Sequence, residues 1–360
     1  MRNKRVILTA GGTGGHLFPA QAVADKLQGQ SDILFVGGGL NSNRYFDQNK
    51  YPFQEISTST LSLRHPFKAI KASWSILKGV FQSFIIFKKF KPDLVVGFGS
   101  FFTFPLLLAA KIKKIPILLH EQNSLPGKVN RLFARSALLT AITFPETALL
   151  IQGKSERVSF PLRFSPKRVE KKEALEYFGL DFGKRTLLIF GGSQGGSGLN
   201  RLFMEAASSL PNDVQIIHFT GNKEVKEKAL ELYQKLKLTC VVKEFEVRMD
   251  HAWSLADLAF TRAGAATIAE LIAWEVPAIL IPFPFATDGH QEKNGEHFTA
   301  CVKGGSMFLE GKTNGKELQK VLDNYLRSDL MTYKDEIRRY KNTHKCKELH
   351  ELILEVKHDG

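Results

Sequence analysis

Short apolar runs alternate with stretches of helical period along almost the whole chain. In the first half RVILTA, DILFVG, PFQEIS, DLVVGFG, PILLHE and ALLTAI read as strands, and in the second TLLIFGG, VQIIHFTG, TCVVKEF, LAFTRAG and PAILIPF. Runs this apolar suit strands covered on both faces, which predicts parallel sheets with helices such as PAQAVADKLQ and TIAELIAW between the strands. The order strand, glycine loop, helix occurs twice, in RVILTAGGTGGHLFPAQAVADKL and in TLLIFGGSQGGSGLNRLFMEAAS. Two similar doubly wound α/β domains follow, since 360 residues exceed what one core ordinarily holds. SFPLRFSPKRVEKKEALEYFG, with its prolines and basic run, reads as the hinge. The expected domains are 1–162 and 163–342, with a C-terminal helix at about 343–360 that can pack back on the first. Ligands of such folds bind outside the carboxyl ends of the strands, here in a cleft.

GGTGGHLFPAQ, residues 11–21, follows the first strand directly. Glycine clustered there means a sharp turn or a close approach to the main chain, and the N–H groups and dipole of the next helix suit an anion. The dinucleotide fingerprint GxGxxG fails, because counting from Gly12 and Gly14 the third position is Leu17. The second strand also ends in Gly37, Gly38 and Gly39 where an acidic residue would read a ribose, which argues against a nicotinamide enzyme. Gly305 to Thr313 misses the P-loop spelling by one residue and is taken as chance. No Asp-x-Asp occurs, so a diphosphate bound here would be neutralised by helix N-termini and basic side chains.

The second domain adds three polar constellations. FGGSQGG, 190–196, repeats the first loop and offers the Ser193 hydroxyl to a phosphate. TRAGAATIAEL, 261–271, sets small residues at a strand end and then opens a helix carrying Thr267 and Glu270, a carboxylate that could accept from ribose hydroxyls. PFPFATDGHQEKNGE, 282–296, gathers Asp288, His290, Gln291 and Asn294, groups suited to a sugar.

Charge narrows the partners. Lys plus Arg outnumber Asp plus Glu by 50 to 36, a net charge of +14, which suggests nucleic acid, a phosphorylated ligand or an acidic membrane face. No element interleaves basic residues with stacking aromatics on a groove-reading surface, which argues against nucleic acid. Cys240, Cys301 and Cys346 stand far apart without metal-ligand spacing and read as thiols in a reducing cytoplasm. The opening MRNKRVILTAGG shows no apolar signal region, and no apolar run approaches the roughly 20 residues that cross a bilayer. FKAIKASWSILKGVFQSFIIFKKFKP, 67–92, has helical period, with Trp74, Leu77, Phe81 and Phe84 among Lys78 and Lys88. Two readings stand: a helix packed on the sheet with a solvated lysine face, or an exposed apolar patch ringed by lysines that docks on an anionic cytoplasmic leaflet.

GGTGGHLFPA, HEQNSLPGKVNRLFA, GGSQGG, RAGAATIAE and DGHQEKN, in this order from Arg5 to about Asn294, resemble the MurG family. Its members are peptidoglycan glycosyltransferases that move N-acetylglucosamine from UDP-N-acetylglucosamine to undecaprenyl-diphospho-N-acetylmuramoyl-pentapeptide. The resemblance implies a GT-B fold, two Rossmann-like domains, with acceptor and membrane on the N-terminal one and donor on the C-terminal one. It implies that Ser193 and Arg163 face the UDP phosphates, that Ala265, Ala266 and Thr267 follow the diphosphate and sugar, and that Glu270 takes the ribose hydroxyls. Phe245 falls where the family places the uracil, held by main chain of Glu246, while Gln291 and Asn123 hold the N-acetylglucosamine. Thr13, Gly14 and Gly15 approach the transferred sugar and the acceptor diphosphate. An inverting transfer to the muramoyl 4-hydroxyl needs a base; His16 is the candidate, because an imidazole titrates near neutral pH, and Glu121 is the alternative. No cofactor is required beside the substrate UDP-N-acetylglucosamine, and assistance by a divalent cation stays open. The implied location is peripheral, on the cytoplasmic face of the inner membrane.

Two departures from the family stand out. GFGSFFTFP, 97–105, has Ser100 and Phe101 where the family usually has a glycine and a tyrosine, which questions one acceptor contact. SFPLR replaces the usual GNPVR but keeps the arginine. The competing functions are UDP-sugar transfer to another membrane lipid, such as diacylglycerol, and nucleotide-sugar sensing without turnover.

Overall fold

The computed structural model describes residues 2–59, 66–192 and 196–356. The chain divides into two compact units, Met1–Arg163 with Cys346–Gly360, and Phe164–Lys345. Arg163, expected to open the second domain, therefore closes the first unit, and the second runs on to Lys345.

Among the described residues of the first unit eight parallel strands lie in the order Lys347–Glu348, Ser155–Ser159, Leu139–Ile142, Ile117–Glu121, Leu94–Gly97, Lys4–Thr9, Ser31–Gly37, Phe53–Glu55. Alternate residues of the strand Lys4–Thr9 serve different cores. Val6 and Leu8 join Leu17, Phe35 and Phe98 on one face, whereas Ile7 joins Val36, Leu106, Leu119 and Phe133 on the other. Two buried faces explain why the run reads as continuously apolar. The terminal helix Leu349–Glu355, opened by a capping box of Glu348 and Glu351, inserts Leu349, Leu352 and Ile353 into the first of these cores. Lys4 Nζ donates to Ile353 O at 2.7 Å and to Val356 O, so the first strand and the last helix are tied.

The second unit has six parallel strands in the order Thr239–Lys243, Val214–Phe219, Arg185–Phe190, Leu258–Thr261, Ala278–Leu280, Gly305–Met307. In each sheet the chain reverses its direction of strand addition at one place. That switch lies between Lys4–Thr9 and Leu94–Gly97 in the first unit and between Arg185–Phe190 and Leu258–Thr261 in the second. Diverging loops leave a crevice at such a point, and the first glycine loop sits there in the first unit, as do Gly191 and Gly192 after Arg185–Phe190 in the second.

The helix Pro66–Phe90 has both a face packed on the sheet and an exposed apolar face. Ala72, Ile76, Val80, Ile86 and Phe87 are buried, while Trp74 at 72% exposure, Leu77 at 60% and Phe81 at 65% face outward with Lys78 and Lys88. Phe84 leaves the expected patch: it is half-buried against the core, with Lys113 Nζ 5.3 Å from its ring centre. Among the described residues no helix is long and apolar enough to cross a membrane.

Candidate active site

The first glycine loop turns on Gly12, at φ 84°, and starts the helix Gly14–Leu27 after an extended Thr13. No side chain caps this helix and no acidic residue occupies its first turn, so its leading N–H groups keep their pull on an anion. Half-buried His16 is the third residue of this helix. Its Nδ1 is 2.7 Å from Phe98 O and 2.7 Å from the Gln122 amide nitrogen. A carbonyl only accepts, so in the neutral ring Nδ1 carries the proton and Nε2 is the basic nitrogen. The Gln122 amide then turns its oxygen toward Nδ1.

Glu121, the alternative base of the sequence reading, is bound into its own loop. Its carboxylate is buried, with Oε1 accepting from Asn123 N at 3.0 Å and Oε2 from Gly127 N at 2.9 Å and Asn130 Nδ2 at 2.8 Å. Burial pushes its pKa up while these donors pull it down. The group closes the loop that presents Asn123, an anchoring use that the sequence reading of it as an alternative base did not include. Next to it, buried His120 lies between the Phe98 and Phe160 rings, and loss of solvent, then the nearby His16, lower its pKa to about 3. It is a neutral wall.

Ser100 takes φ 74° and ψ 149°, a region that only glycine occupies at ease, and it stands where the family has glycine. Phe101 is 39% exposed. Arg163 is exposed, its guanidinium 4.4 Å from the ring centre of Phe18 on the first glycine-loop helix.

In the second unit Gly264 opens the helix Ala265–Trp274, again with no side-chain cap and no acid in the first turn. Ala265 and Thr267 are buried there, and Ala266 and Glu270 half-buried. Gln291 Oε1 accepts from Phe283 N at 2.9 Å, which makes the amide nitrogen the group it can offer. Phe245 is 62% exposed, whereas the Glu246 carboxylate is buried under Lys243 Nζ at 2.6 Å, Tyr177 OH at 3.0 Å and Arg248 N at 2.8 Å. Those donors hold its pKa below the usual carboxylate range against burial, and they fix the turn whose main chain the resemblance assigns to the uracil. Ser193 lies outside the described residues. Among the described residues no group of three His, Cys, Asp or Glu side chains could hold a metal ion.

Sequence reasoning missed Arg262 and Glu310, which meet at 2.6 Å. Arg262 was visible inside RAGAATIAE. Glu310 sits in the segment dismissed as a chance P-loop, and nothing local marks it.

The profile of the glycosyltransferase family 28 N-terminal domain matches residues 6–142, and that of its C-terminal domain residues 186–353. A UDP-N-acetylglucosamine--N-acetylmuramyl-(pentapeptide) pyrophosphoryl-undecaprenol N-acetylglucosamine transferase from Protochlamydia amoebophila is 48% identical over 331 residues, 89% of this chain and 88% of the relative. The chain belongs to the MurG family. The enzyme of the same name from Thermodesulfovibrio yellowstonii is 37% identical, covering 89% of this chain and 90% of its own. Crystalline MurG from Acinetobacter baumannii superposes with a TM-score of 0.78 at 28% identity, over 98% of this chain and 100% of that one. As a MurG-family member the protein is a glycosyltransferase with two Rossmann-like units of the GT-B class. A UDP-glucosyltransferase from Polygonum tinctorium, at 12% identity and a TM-score of 0.72, shares the fold alone.

Proposed function

We propose that this chain transfers N-acetylglucosamine from UDP-N-acetylglucosamine to undecaprenyl-diphospho-N-acetylmuramoyl-pentapeptide, with inversion, at the cytoplasmic face of the inner membrane. The 48% identity over 89% of the chain to a transferase of that name carries the reading. The bare helix N-termini after Thr13 and Gly264 give it a mechanism.

In this reading the second unit holds the donor. The helix after Gly264, with Ser193 and Arg163, takes the diphosphate charge; Glu270 takes the ribose; main chain of Glu246 beside Phe245 takes the uracil. Gln291 offers an N–H to the N-acetylglucosamine, and Asn123, held by Glu121, does the same. Thr13, Gly14 and Gly15 approach the acceptor diphosphate. His16 Nε2 removes the proton of the muramoyl 4-hydroxyl as its oxygen bonds to the anomeric carbon and the bond to UDP breaks. The departing negative charge is taken by preorganised N–H groups and arginine, and no cofactor is required. Trp74, Leu77 and Phe81, ringed by Lys78 and Lys88, settle on anionic lipid.

The test is UDP release with a short-chain lipid-diphospho-muramoyl-pentapeptide acceptor, with diacylglycerol, and with chelator present. Turnover with the muramoyl acceptor alone, unaffected by chelator, is expected. Donor binding without turnover on either acceptor would replace this reading with a sensor.

A further inference from the structure

Arg262 follows the strand Leu258–Thr261 and is 4% exposed. Its Nη1 donates to Ile281 O at 3.0 Å and Pro282 O at 3.2 Å, and lies 2.6 Å from Glu310 Oε2. The guanidinium carbon is 5.5 Å from the ring centre of Phe283. The carboxylate of Glu310 lies over the first turn of the helix Ser197–Ala206, so close that a Cβ on Gly198 would meet Oε1 at 1.6 Å. One buried side chain therefore joins three segments: the RAGAAT turn, the segment leading to Gln291, and, through Glu310, the helix behind the second glycine loop.

Taking charges out of water is costly, and their attraction offsets this only in good geometry. A carboxylate over a helix N-terminus is favoured by the dipole, yet alone it would repel a diphosphate. Paired with Arg262, it stays against the helix while its charge is cancelled.

We propose that the Arg262–Glu310 pair positions the donor-holding segments of the second unit, so that both are positioning residues for UDP-sugar binding. The inference rests on the reading that this unit binds the donor.

The experiment measures UDP affinity by calorimetry, KM for donor and for acceptor, and melting temperature, in wild type, Glu310→Ala, Glu310→Gln, Arg262→Lys and the double variant Arg262→Met/Glu310→Met. Glu310→Ala is expected to raise the UDP Kd and the donor KM on the order of 10-fold, with the acceptor KM unchanged. Glu310→Gln, which keeps the shape and an acceptor oxygen, recovers part of this. Arg262→Lys behaves like Glu310→Ala, because the compact, strongly hydrated ammonium lacks the planar guanidinium that lies against the Phe283 ring. The double variant regains wild-type melting while its donor KM stays raised. Wild-type UDP affinity in Glu310→Ala, or full recovery of donor KM in the double variant, overturns the proposal. So does tighter UDP binding in Glu310→Gln, which would mark the carboxylate as a competitor of the diphosphate. If wild type itself does not bind UDP, the proposed function falls first.

Discussion

The helices that follow the two glycine loops begin alike and are finished differently. The first, Gly14–Leu27, starts without an acid in its leading turn and sets His16 beside it, with Nδ1 held by Phe98 O. The second, Ser197–Ala206, starts beneath the Glu310 carboxylate, whose charge a buried arginine cancels. A strand, glycines and a helix specify a backbone shape; residues arriving from distant segments decide what charge it meets. Two carboxylates near these sites, buried Glu121 and half-buried Glu310, repeat the contrast. Glu121 is satisfied by neutral N–H donors, which anchor a loop, whereas Glu310 answers a cation, which joins segments.

The sharpest way to break this contrast is to remove Glu121. Glu121→Ala takes the acceptor from the buried Asn130 amide, which keeps only His120 O, and from the less buried N–H groups of Asn123 and Gly127, so the expected loss is about 3 kcal/mol of unfolding free energy. Urea denaturation reads it directly. Glu121→Gln keeps an acceptor and loses roughly half as much. If Glu121→Gln instead abolished turnover at unchanged stability, the carboxylate would be chemical and the anchor reading would fail.

Next in size is His16→Ala. A general base contributes roughly 10²–10⁴ to the rate, so kcat should drop by that order while UDP affinity and melting stay as in wild type. Loss of UDP affinity in parallel with kcat would move His16 from base to donor contact.

Much of the frame was legible because buried parallel strands leave long apolar runs, and RVILTA, PILLHE and TLLIFGG all became central strands. Ser155–Ser159, Gly305–Met307 and Lys347–Glu348 went unforeseen: they are short and polar and lie at or beside sheet edges, where neither continuity nor alternation is enforced. At the site, the backbone features were readable and the side-chain partnerships were not. Glu121 stands next to a histidine in sequence, which invites a catalytic reading, yet its oxygens are used up within its own loop. Glu310 and Gly198 are far apart in sequence, so their contact exists only after the sheet has assembled.

A third, smaller effect compares one buried imidazole from each unit. Burial lowers both His120 and His218 to about 3. Between the unfolded value near 6.5 and that value the unfolded chain binds the proton and the folded one does not, so stability is lost as pH falls through this window. At pH 5 the loss is about 2 kcal/mol for each ring. His218 is held by Tyr233 OH at 2.8 Å and Asn200 Oδ1 at 3.1 Å, whereas His120 has only aromatic neighbours among its described ring contacts. His120→Phe should therefore fold well at neutral pH and shift acid unfolding to lower pH, while His218→Phe should destabilise at every pH. An unchanged acid midpoint in His120→Phe would mean that the ring is not kept neutral.

The smallest change tests the loop that carries Ser100 in the first unit. Ser100 holds φ 74° at a cost that such conformations set at about 1–3 kcal/mol, and its Oγ receives only a long 3.5 Å bond from Phe102 N. Ser100→Gly removes the strain but gives the unfolded chain more freedom, so the expected net gain is about 1 kcal/mol in thermal or urea unfolding. If the serine is retained for the acceptor, the stabilised variant should show a raised acceptor KM with donor KM unchanged. A gain in stability with both KM values unchanged would make Ser100 a tolerated strain, and the acceptor contact in this loop would then rest on main chain and on the half-exposed Phe101.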